Sequence, residues 1–182
     1  MTEAAPPDEP LRYPIGRYTA PAAFSMDDVP AWISAIEALP RWLDVIIENL
    51  DAAQLDTPYR PGGWTMVQTI HHLSDSHMNA FVRLKLALTE DVPTIKPYEE
   101  ARWAETPEVY SVPVNVSITL LHALHRRWAA LLHAMPSEGW QRSYFHPEQG
   151  RAYALWDMTA MYAWHCRHHM EHLRGLKERM GW

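Results

Sequence analysis

The chain reads WHCRHHMEH over residues 164–172, which places four histidines within eight positions. If this stretch is helical, His165, His169 and His172 share one face, because they are spaced by four and three residues. His165 and His169 are one turn apart and can hold the same metal ion, whereas His172 lies roughly 10 Å from His165 at about 1.5 Å per residue. His168 and His172 form a second pair with the same spacing, and spacing alone does not choose between the two pairs.

A third ligand is therefore expected from another helix, and the segment IHHLSDSH at residues 70–77 offers one. His71 and His72 are adjacent and point about 100° apart on a helix, so only one of them can face the ion. Asp75 is either an acceptor that holds a ligand histidine or a solvated carboxylate. A helical histidine pair plus one distant histidine suits zinc or nickel and leaves a coordination position open, as catalytic sites do.

Four long segments carry apolar residues at helical spacing and are predicted to be amphipathic helices. Ser25 resembles the cap of the first helix, and Pro40 is expected to kink or split it. Thr65 and Gln68 match a capping box at the start of the second helix, and Ser117 is the predicted cap of the third. The predicted helices cover residues 25–50, 65–89, 117–132 and 155–180.

The connections between these helices predict few further elements. Residues 92–113 are a long, proline-interrupted connection with a short helix expected around residues 99–104, and residues 144–154 should form a turn or a small hairpin. The predicted fold class is therefore all-α, a four-helix bundle with a short connecting helix and small insertions. Residues 1–12, rich in proline and acidic residues, are predicted to be a disordered tail, and residues 13–182 a single metal-binding domain.

Composition narrows the classes of function. The 182 residues carry a formal net charge of −6 and no dense basic run, so we expect no nucleic-acid partner. No stretch reaches the length of a membrane span and the N-terminus lacks the pattern of a signal peptide, so we expect a cytoplasmic protein without a membrane partner. Cys166 is the only cysteine, which excludes an internal disulfide, and we expect it to be a packing residue.

Short motifs occur in one order along nearly the whole chain, from Tyr13 to Trp182. They resemble the YfiT-like branch of the DinB superfamily, whose members are bacterial four-helix proteins described as metal-dependent hydrolases. Some relatives are regarded as S-transferases that use bacillithiol. The motifs include LDTPYR at 55–60, GGWT at 62–65, HHL at 71–73, DSHMN at 75–79, PY at 97–98, HP at 146–147 and WH at 164–165.

The resemblance implies a ligand set. In this family the ligands are the second histidine of the HH pair, the histidine after the tryptophan, and the histidine four residues later, which correspond here to His72, His165 and His169. The chain departs from the family at Lys96, where arginine is expected before the PY motif. Lysine keeps the charge but lacks the planar fork of arginine, which puts anion contacts carried over from that position in doubt.

Three functions are consistent with these residues. The first is a hydrolase in which a divalent ion on three histidines activates water. The second is a thiol S-transferase in which the same ion activates a low-molecular-weight thiol of the bacillithiol type. The third is a metal-stabilised binding module without enzymatic activity. For either enzyme we expect a small-molecule substrate, and a homodimer is left open.

Other polar residues have two interpretations, and no catalytic residue is assigned. His146 and Glu148 are either acid–base groups beside the metal or parts of a turn, and we favour the turn. Asn79 and Arg83 either contact substrate or pair with solvent-facing carboxylates. His125, on the third helix, is predicted to belong to the core.

Overall fold

The computed structural model describes residues 9–182. In that range the chain forms eight helices, one 3₁₀ turn and one two-stranded antiparallel sheet. The helices are α1 (Glu9–Arg12), α2 (Val29–Ile47), α3 (Ala52–Leu55), α4 (Met66–Thr89), α5 (Glu100–Trp103), α6 (Pro107–Ser111), α7 (Val114–His133) and α8 (Leu155–Met180); the 3₁₀ turn is Ser137–Gln141, and the strands are β1 (Ser143–His146) and β2 (Arg151–Ala154).

The four long helices form the bundle that the sequence predicts. Helix α2 packs against α7 and α8, and α4 packs against the same two helices, so α4 and α8 lie side by side. This arrangement brings the histidines of the second and fourth predicted helices to one interface. The fully buried core comes from all four helices and includes Ile36, Leu39, Leu43, Ile70, Leu73, Leu84, Leu121, Trp128, Leu132, Leu155 and Leu173.

The start of α4 follows the predicted capping box. The Thr65 hydroxyl accepts a hydrogen bond from the backbone N–H of Gln68 at 3.1 Å, and the Gln68 side chain accepts one from the backbone N–H of Thr65 at 3.0 Å. Two N–H groups that have no partner inside the helix are thereby satisfied, which fixes where α4 begins. The register of His72 relative to the end of the bundle follows from this cap.

Helix α2 differs from the prediction at both ends and at its proline. It begins at Val29 rather than near Ser25, ends at Ile47, and continues through Pro40. Of the two expected effects of Pro40, a kink or a split, the split is therefore wrong. A proline removes one N–H from the helix and leaves one carbonyl, that of Ile36, without its usual partner. The structure supplies another donor to that carbonyl, as described below.

Three further predictions need correction. Helix α7 begins at Val114, and Ser117 lies inside it, where its hydroxyl bonds a histidine instead of capping the helix. The connection before α7 contains a second short helix, Pro107–Ser111, that the sequence did not indicate. Residues 1–8 of the predicted disordered tail lie outside the described residues. Residues 9–12 are helical and form α1. Two contacts hold this turn: Glu9 pairs with Arg17 at 2.8 Å, and the Arg12 carbonyl accepts a hydrogen bond from His172 of α8.

The remaining predictions for elements are confirmed. Residues 143–154 form the hairpin β1–β2, whose turn spans residues 147–150. Helix α8 runs from Leu155 to Met180 and ends at Gly181 in the left-handed conformation, with φ of 70°. Cys166 is fully buried in the core, as expected for a packing residue. Within residues 9–182, no helix combines the length and the apolar content that a membrane span requires.

Candidate metal centre

Three histidines converge between α4 and α8. One ring nitrogen each from His72, His165 and His169 lies within 4.8 Å of the others. The Nε2 atoms of His72 and His165 are 3.3 Å apart, and the rings of His165 and His169, one turn apart on α8, have centroids separated by 4.5 Å. His72 and His169 are buried and His165 is half-buried, so the group is closed on most sides.

Burial keeps these three rings neutral. It lowers the pKa of His72 to about 4, because the protonated form would lose its hydration. Burial also lowers the pKa of His165 and of His169 well below the usual value, and the neighbouring histidines lower it further. At neutral pH each ring therefore has one N–H and one nitrogen lone pair.

A chain of hydrogen bonds determines which nitrogen of His165 carries the proton. His165 Nδ1 is 3.1 Å from His77 Nε2, His77 Nδ1 is 2.8 Å from His125 Nε2, and His125 Nδ1 is 2.5 Å from the Ile36 carbonyl oxygen. The carbonyl can only accept, so His125 donates from Nδ1 and accepts at Nε2. His77 must then donate from Nδ1, and His165 from Nδ1. The lone pair of His165 is left on Nε2, the atom that faces His72.

The Ile36 carbonyl is available because of Pro40. In a regular helix it would accept the N–H of the residue four positions later, and that residue is a proline in the middle of α2. His125 supplies the missing donor from α7. A buried carbonyl thus has its partner, and a buried histidine has a fixed tautomer.

A second chain of hydrogen bonds orients His169 in the same way. His172 Nε2 is 3.1 Å from the Arg12 carbonyl oxygen, and His172 Nδ1 is 3.4 Å from His169 Nδ1. His172 therefore donates to the carbonyl and accepts from His169, which leaves the lone pair of His169 on Nε2. The ring of Tyr59 stacks on His172 at a centroid distance of 4.0 Å and holds it in place.

The other histidines of the two segments lie outside the group. His71 bonds Ser117 Oγ at 2.8 Å and the Val112 carbonyl at 3.1 Å, on the side of α4 that faces α7. His168 stacks on Trp164 with ring centroids 4.4 Å apart. The pair His165/His169, rather than His168/His172, therefore lies with His72.

Asp75 does not hold a ligand histidine. Among residues 9–182 its carboxylate makes no hydrogen bond to any of the three rings, and His77 and His172 bond the rings of α8 instead. Asp75 is half-buried, and burial together with nearby Glu108 raises its pKa to about 6. The interpretation of Asp75 as an acceptor for a ligand is wrong, and histidines accept from His165 and His169 instead.

The other polar residues that the sequence offered as candidates lie away from the three histidines. His146 ends β1 and Glu148 lies in the hairpin turn, which agrees with the turn interpretation. Both line a cavity together with Arg83, whereas Asn79 donates to the backbone carbonyl of Asp75 at 2.9 Å. His125 is buried in the core as predicted, but it also bonds His77.

The sequence analysis missed the roles of His77, His125 and His172. A signal existed, since each lies on a helix face that packs into the bundle, and a buried polar ring needs a partner. That partner could not be identified from one sequence, because His77 and His125 are 48 residues apart.

Comparisons with known proteins agree on one family for this chain. The DinB superfamily model matches residues 35–173. A protein of Geobacillus thermodenitrificans named "Putative metal-dependent hydrolase" is 47% identical over 174 residues, which cover 96% of this chain and 98% of that protein. A Bacillus cereus protein of the same name is 48% identical over 172 residues, which cover 94% of this chain and 98% of its own length.

A solved structure gives the same result for the fold. Bacillus subtilis YfiT, described as "a probable metal-dependent hydrolase with an unusual four-helix bundle topology", superimposes with a TM-score of 0.92 at 41% identity. The superposition covers 95% of this chain and 99% of YfiT. The family match, the relatives and the superposition each cover most of the chain, and on this basis the chain belongs to the DinB superfamily.

Proposed function

We propose that the protein is a metal-dependent hydrolase that holds a divalent zinc or nickel ion on His72, His165 and His169. The observation that carries the proposal is the convergence of three neutral imidazoles, one nitrogen of each lying within 4.8 Å of the others. The donor set fits such an ion, because imidazole nitrogen is a good ligand for both metals and three protein ligands leave a position open. The names of the relatives agree with this assignment.

The residues of this chain prepare the site before any ion arrives. His77 and His172 accept the Nδ1 protons of His165 and His169, so both Nε2 lone pairs are held ready. Trp64 packs on the His72 ring at a centroid distance of 4.6 Å and limits its rotation. When bound, the ion would supply a Lewis acid that lowers the pKa of a water or thiol ligand towards neutrality.

The hydrolase proposal is tested by activity that depends on the ion and on its ligands. Zinc- and nickel-loaded protein should cleave members of a panel of esters and amides without added thiol, with a rate that rises near neutral pH. His165→Ala should lose the activity. His168→Ala is the matched control, because His168 lies three residues away on α8 and outside the group, and this variant should keep the activity. Equal loss in both variants would contradict the assignment.

A second candidate uses the same site for thiol transfer. Three neutral ligands leave the full charge of the ion available to an anionic partner, and a thiolate is such a partner. In this case a conjugate between bacillithiol or glutathione and a model electrophile should appear in the mass spectrum only with loaded protein. Hydrolysis without conjugation excludes this candidate, and conjugation without hydrolysis replaces the first.

A protein that binds the ion but shows neither activity would be a metal-stabilised binding module. The stability of the metal-free protein distinguishes this alternative from the two enzymes, because a structural ion should be needed for the bundle to fold. Circular dichroism before and after chelation of the ion measures this directly.

A further inference from the structure

A cavity of about 410 Å³ lies beside the hairpin and the connection before α6. Its wall contains three polar side chains whose hydrogen-bonding capacity is incompletely used. Tyr98 Oη and His146 Nδ1 are buried and form no well-aligned hydrogen bond within residues 9–182, and Ser76 lies near the Tyr98 hydroxyl. Arg83 lines the same cavity, is only 9% exposed, and has five N–H donors.

Arg83 is the most informative of the three. Its guanidinium forms no ion pair with any described carboxylate, and its one hydrogen bond, to the Lys96 carbonyl, is long at 3.5 Å. A buried charge normally has a close counter-charge or several hydrogen bonds. A guanidinium with one long hydrogen bond and no ion pair within 4 Å, in the wall of a cavity, is placed to bind a planar anion such as a carboxylate.

The other two groups support an anionic ligand. Burial is the main cause that raises the pKa of Tyr98, so its hydroxyl remains protonated and can donate. Burial lowers the pKa of His146, and nearby Arg83 lowers it further, so the ring is neutral at pH 7 and donates or accepts according to its tautomer.

Carboxylates at the rim limit how much negative charge the cavity tolerates. Glu99 pairs with Arg102 at 3.3 Å, whereas Glu100 and Glu148 form no ion pair among the described residues. They face a ligand that enters the cavity. A single carboxylate is therefore favoured over two, and an additional ammonium group is tolerated.

Arg83 of the cavity and His72 of the histidine group lie on one face of α4. His72, Ser76 and Arg83 lie on that face, and His72 and Arg83 are separated along the axis by roughly 16 Å at about 1.5 Å per residue. Ser76 bonds Tyr162 at 3.4 Å, and the Tyr162 ring lies 5.5 Å from that of His165.

We propose that this cavity binds the carboxylate of a small substrate or co-substrate through Arg83, Tyr98 and His146. The identity of the ligand as a substrate rests on the proposed function, but the binding itself does not. Ligands with one carboxylate, with or without an ammonium group, bind better than dicarboxylates, and neutral analogues bind poorly.

The test uses four probes with the same four-carbon chain and different charge: butyrate, 4-aminobutyrate, succinate and butyramide. Each is titrated into the full chain, with and without zinc, while NMR follows the Arg83 Nε–H, Tyr98 and His146 signals. Butyrate and 4-aminobutyrate should shift these signals in both forms of the protein, succinate should bind more weakly, and butyramide should not saturate.

Arg83→Met should weaken butyrate binding at least about tenfold, because a charge-assisted pair is lost. Arg102→Met is the matched control, since Arg102 lines the same cavity but is exposed and paired with Glu99, and it should change affinity less than about twofold. If Arg83→Met does not fold, Arg83→Lys must still weaken binding, because it keeps the charge and loses the fork.

The proposal is overturned if butyramide binds as well as butyrate, if none of the probes binds, or if the Arg83 variants keep full affinity. These outcomes are separate from the proposed function. Carboxylate binding without any turnover leaves the cavity assigned and removes the hydrolase, whereas turnover that is indifferent to Arg83 keeps the hydrolase and removes the cavity from its substrate site.

Discussion

The proton on His165 Nδ1 is the smallest feature on which the proposed site depends. If His77 is replaced by phenylalanine, His165 loses its acceptor and can move its proton to Nε2, where it would block the ion. We expect His77→Phe to weaken zinc binding by about 10- to 100-fold, the range typical when such outer partners are removed. His77→Gln, which keeps one donor and one acceptor, should recover much of the affinity.

Competition with a chelator measures the affinity, and ¹⁵N NMR of the metal-free protein reports the tautomer of His165. His71→Gln is the control, because His71 is also buried on α4 but bonds Ser117 and Val112 instead. Unchanged affinity in a folded His77→Phe variant, or an equal loss in His71→Gln, would show that the hydrogen-bond chain does not position the ligand.

At the residue scale the sequence predicted which three histidines come together, but not the hydrogen bonds around them. Helical spacing reduced the candidates on α8 to two pairs, and the family resemblance selected His165 and His169 together with His72. The hydrogen bonds of His77, His125 and His172 could not be predicted, because each depends on how two distant segments pack.

At the scale of elements, Pro40 connects α2 to the candidate metal centre, because His125 bonds the carbonyl that the proline leaves free. Pro40→Ala would restore an N–H to the Ile36 carbonyl, which His125 now bonds at 2.5 Å. A carbonyl can accept two hydrogen bonds, so the contact should weaken and not vanish. We expect zinc affinity to fall by a few-fold, less than in His77→Phe, while the melting temperature stays the same or rises.

Thermal unfolding and the same zinc competition measure both quantities. Pro30→Ala is the matched control, since Pro30 lies in the first turn of α2, where a missing N–H leaves no carbonyl unpaired. Identical zinc affinity in Pro40→Ala and wild type, with the His125 tautomer unchanged, would show that the proline has no part in the site.

Helix boundaries show where local signals suffice and where they do not. The capping box at Thr65 fixed the start of α4 because both of its bonds are local. Ser117 looked like an equivalent cap, but α7 begins at Val114, where Pro113 lies at the cap position, and the Ser117 hydroxyl is needed by His71. Tertiary contacts outweighed the local pattern there.

At the scale of the whole molecule, the bundle should not need the ion in order to fold. The fully buried core draws apolar residues from all four long helices, and the histidine group lies at one interface between two of them. Chelation should leave the helical circular dichroism unchanged and lower the melting temperature only modestly, since the folded state loses a ligand. Loss of the helical signal would make the ion structural and favour the binding-module alternative.

The buried histidines should make the metal-free protein sensitive to acid. Burial lowers the pKa of His125 to about 4 and that of His168 to about 3, below the ordinary value of 6.5. Between pH 6.5 and pH 4 the histidines of the unfolded chain bind protons, whereas the buried histidines of the folded chain do not. The free energy of unfolding is therefore highest above about pH 6.5 and falls as the pH drops towards 4.

Urea unfolding of chelated protein at a series of pH values tests this dependence. The wild-type midpoint should fall steadily between pH 7 and pH 5, and the slope should be shallower in His168→Phe, which keeps a ring against Trp164 but removes one titrating group. A midpoint that rises as the pH falls would contradict the neutral state of these rings.

For the whole molecule, the sequence predicted an all-α bundle and its family, because helical periodicity and dispersed motifs extend along the chain. The expected cytoplasmic location stays a prediction, and so does the possible homodimer. The short helix α6 was missed because five residues carry too little periodic pattern.

The central claim is that His72, His165 and His169 hold one divalent ion, and metal analysis of two neighbouring variants tests it most directly. Purified wild type loaded with zinc or nickel should retain about one ion per chain, because the three rings form one site. His169→Ala should retain almost none, while His168→Ala, changed at the adjacent position outside the group, should retain a full complement. Full occupancy in His169→Ala, or loss in His168→Ala alone, would contradict the account.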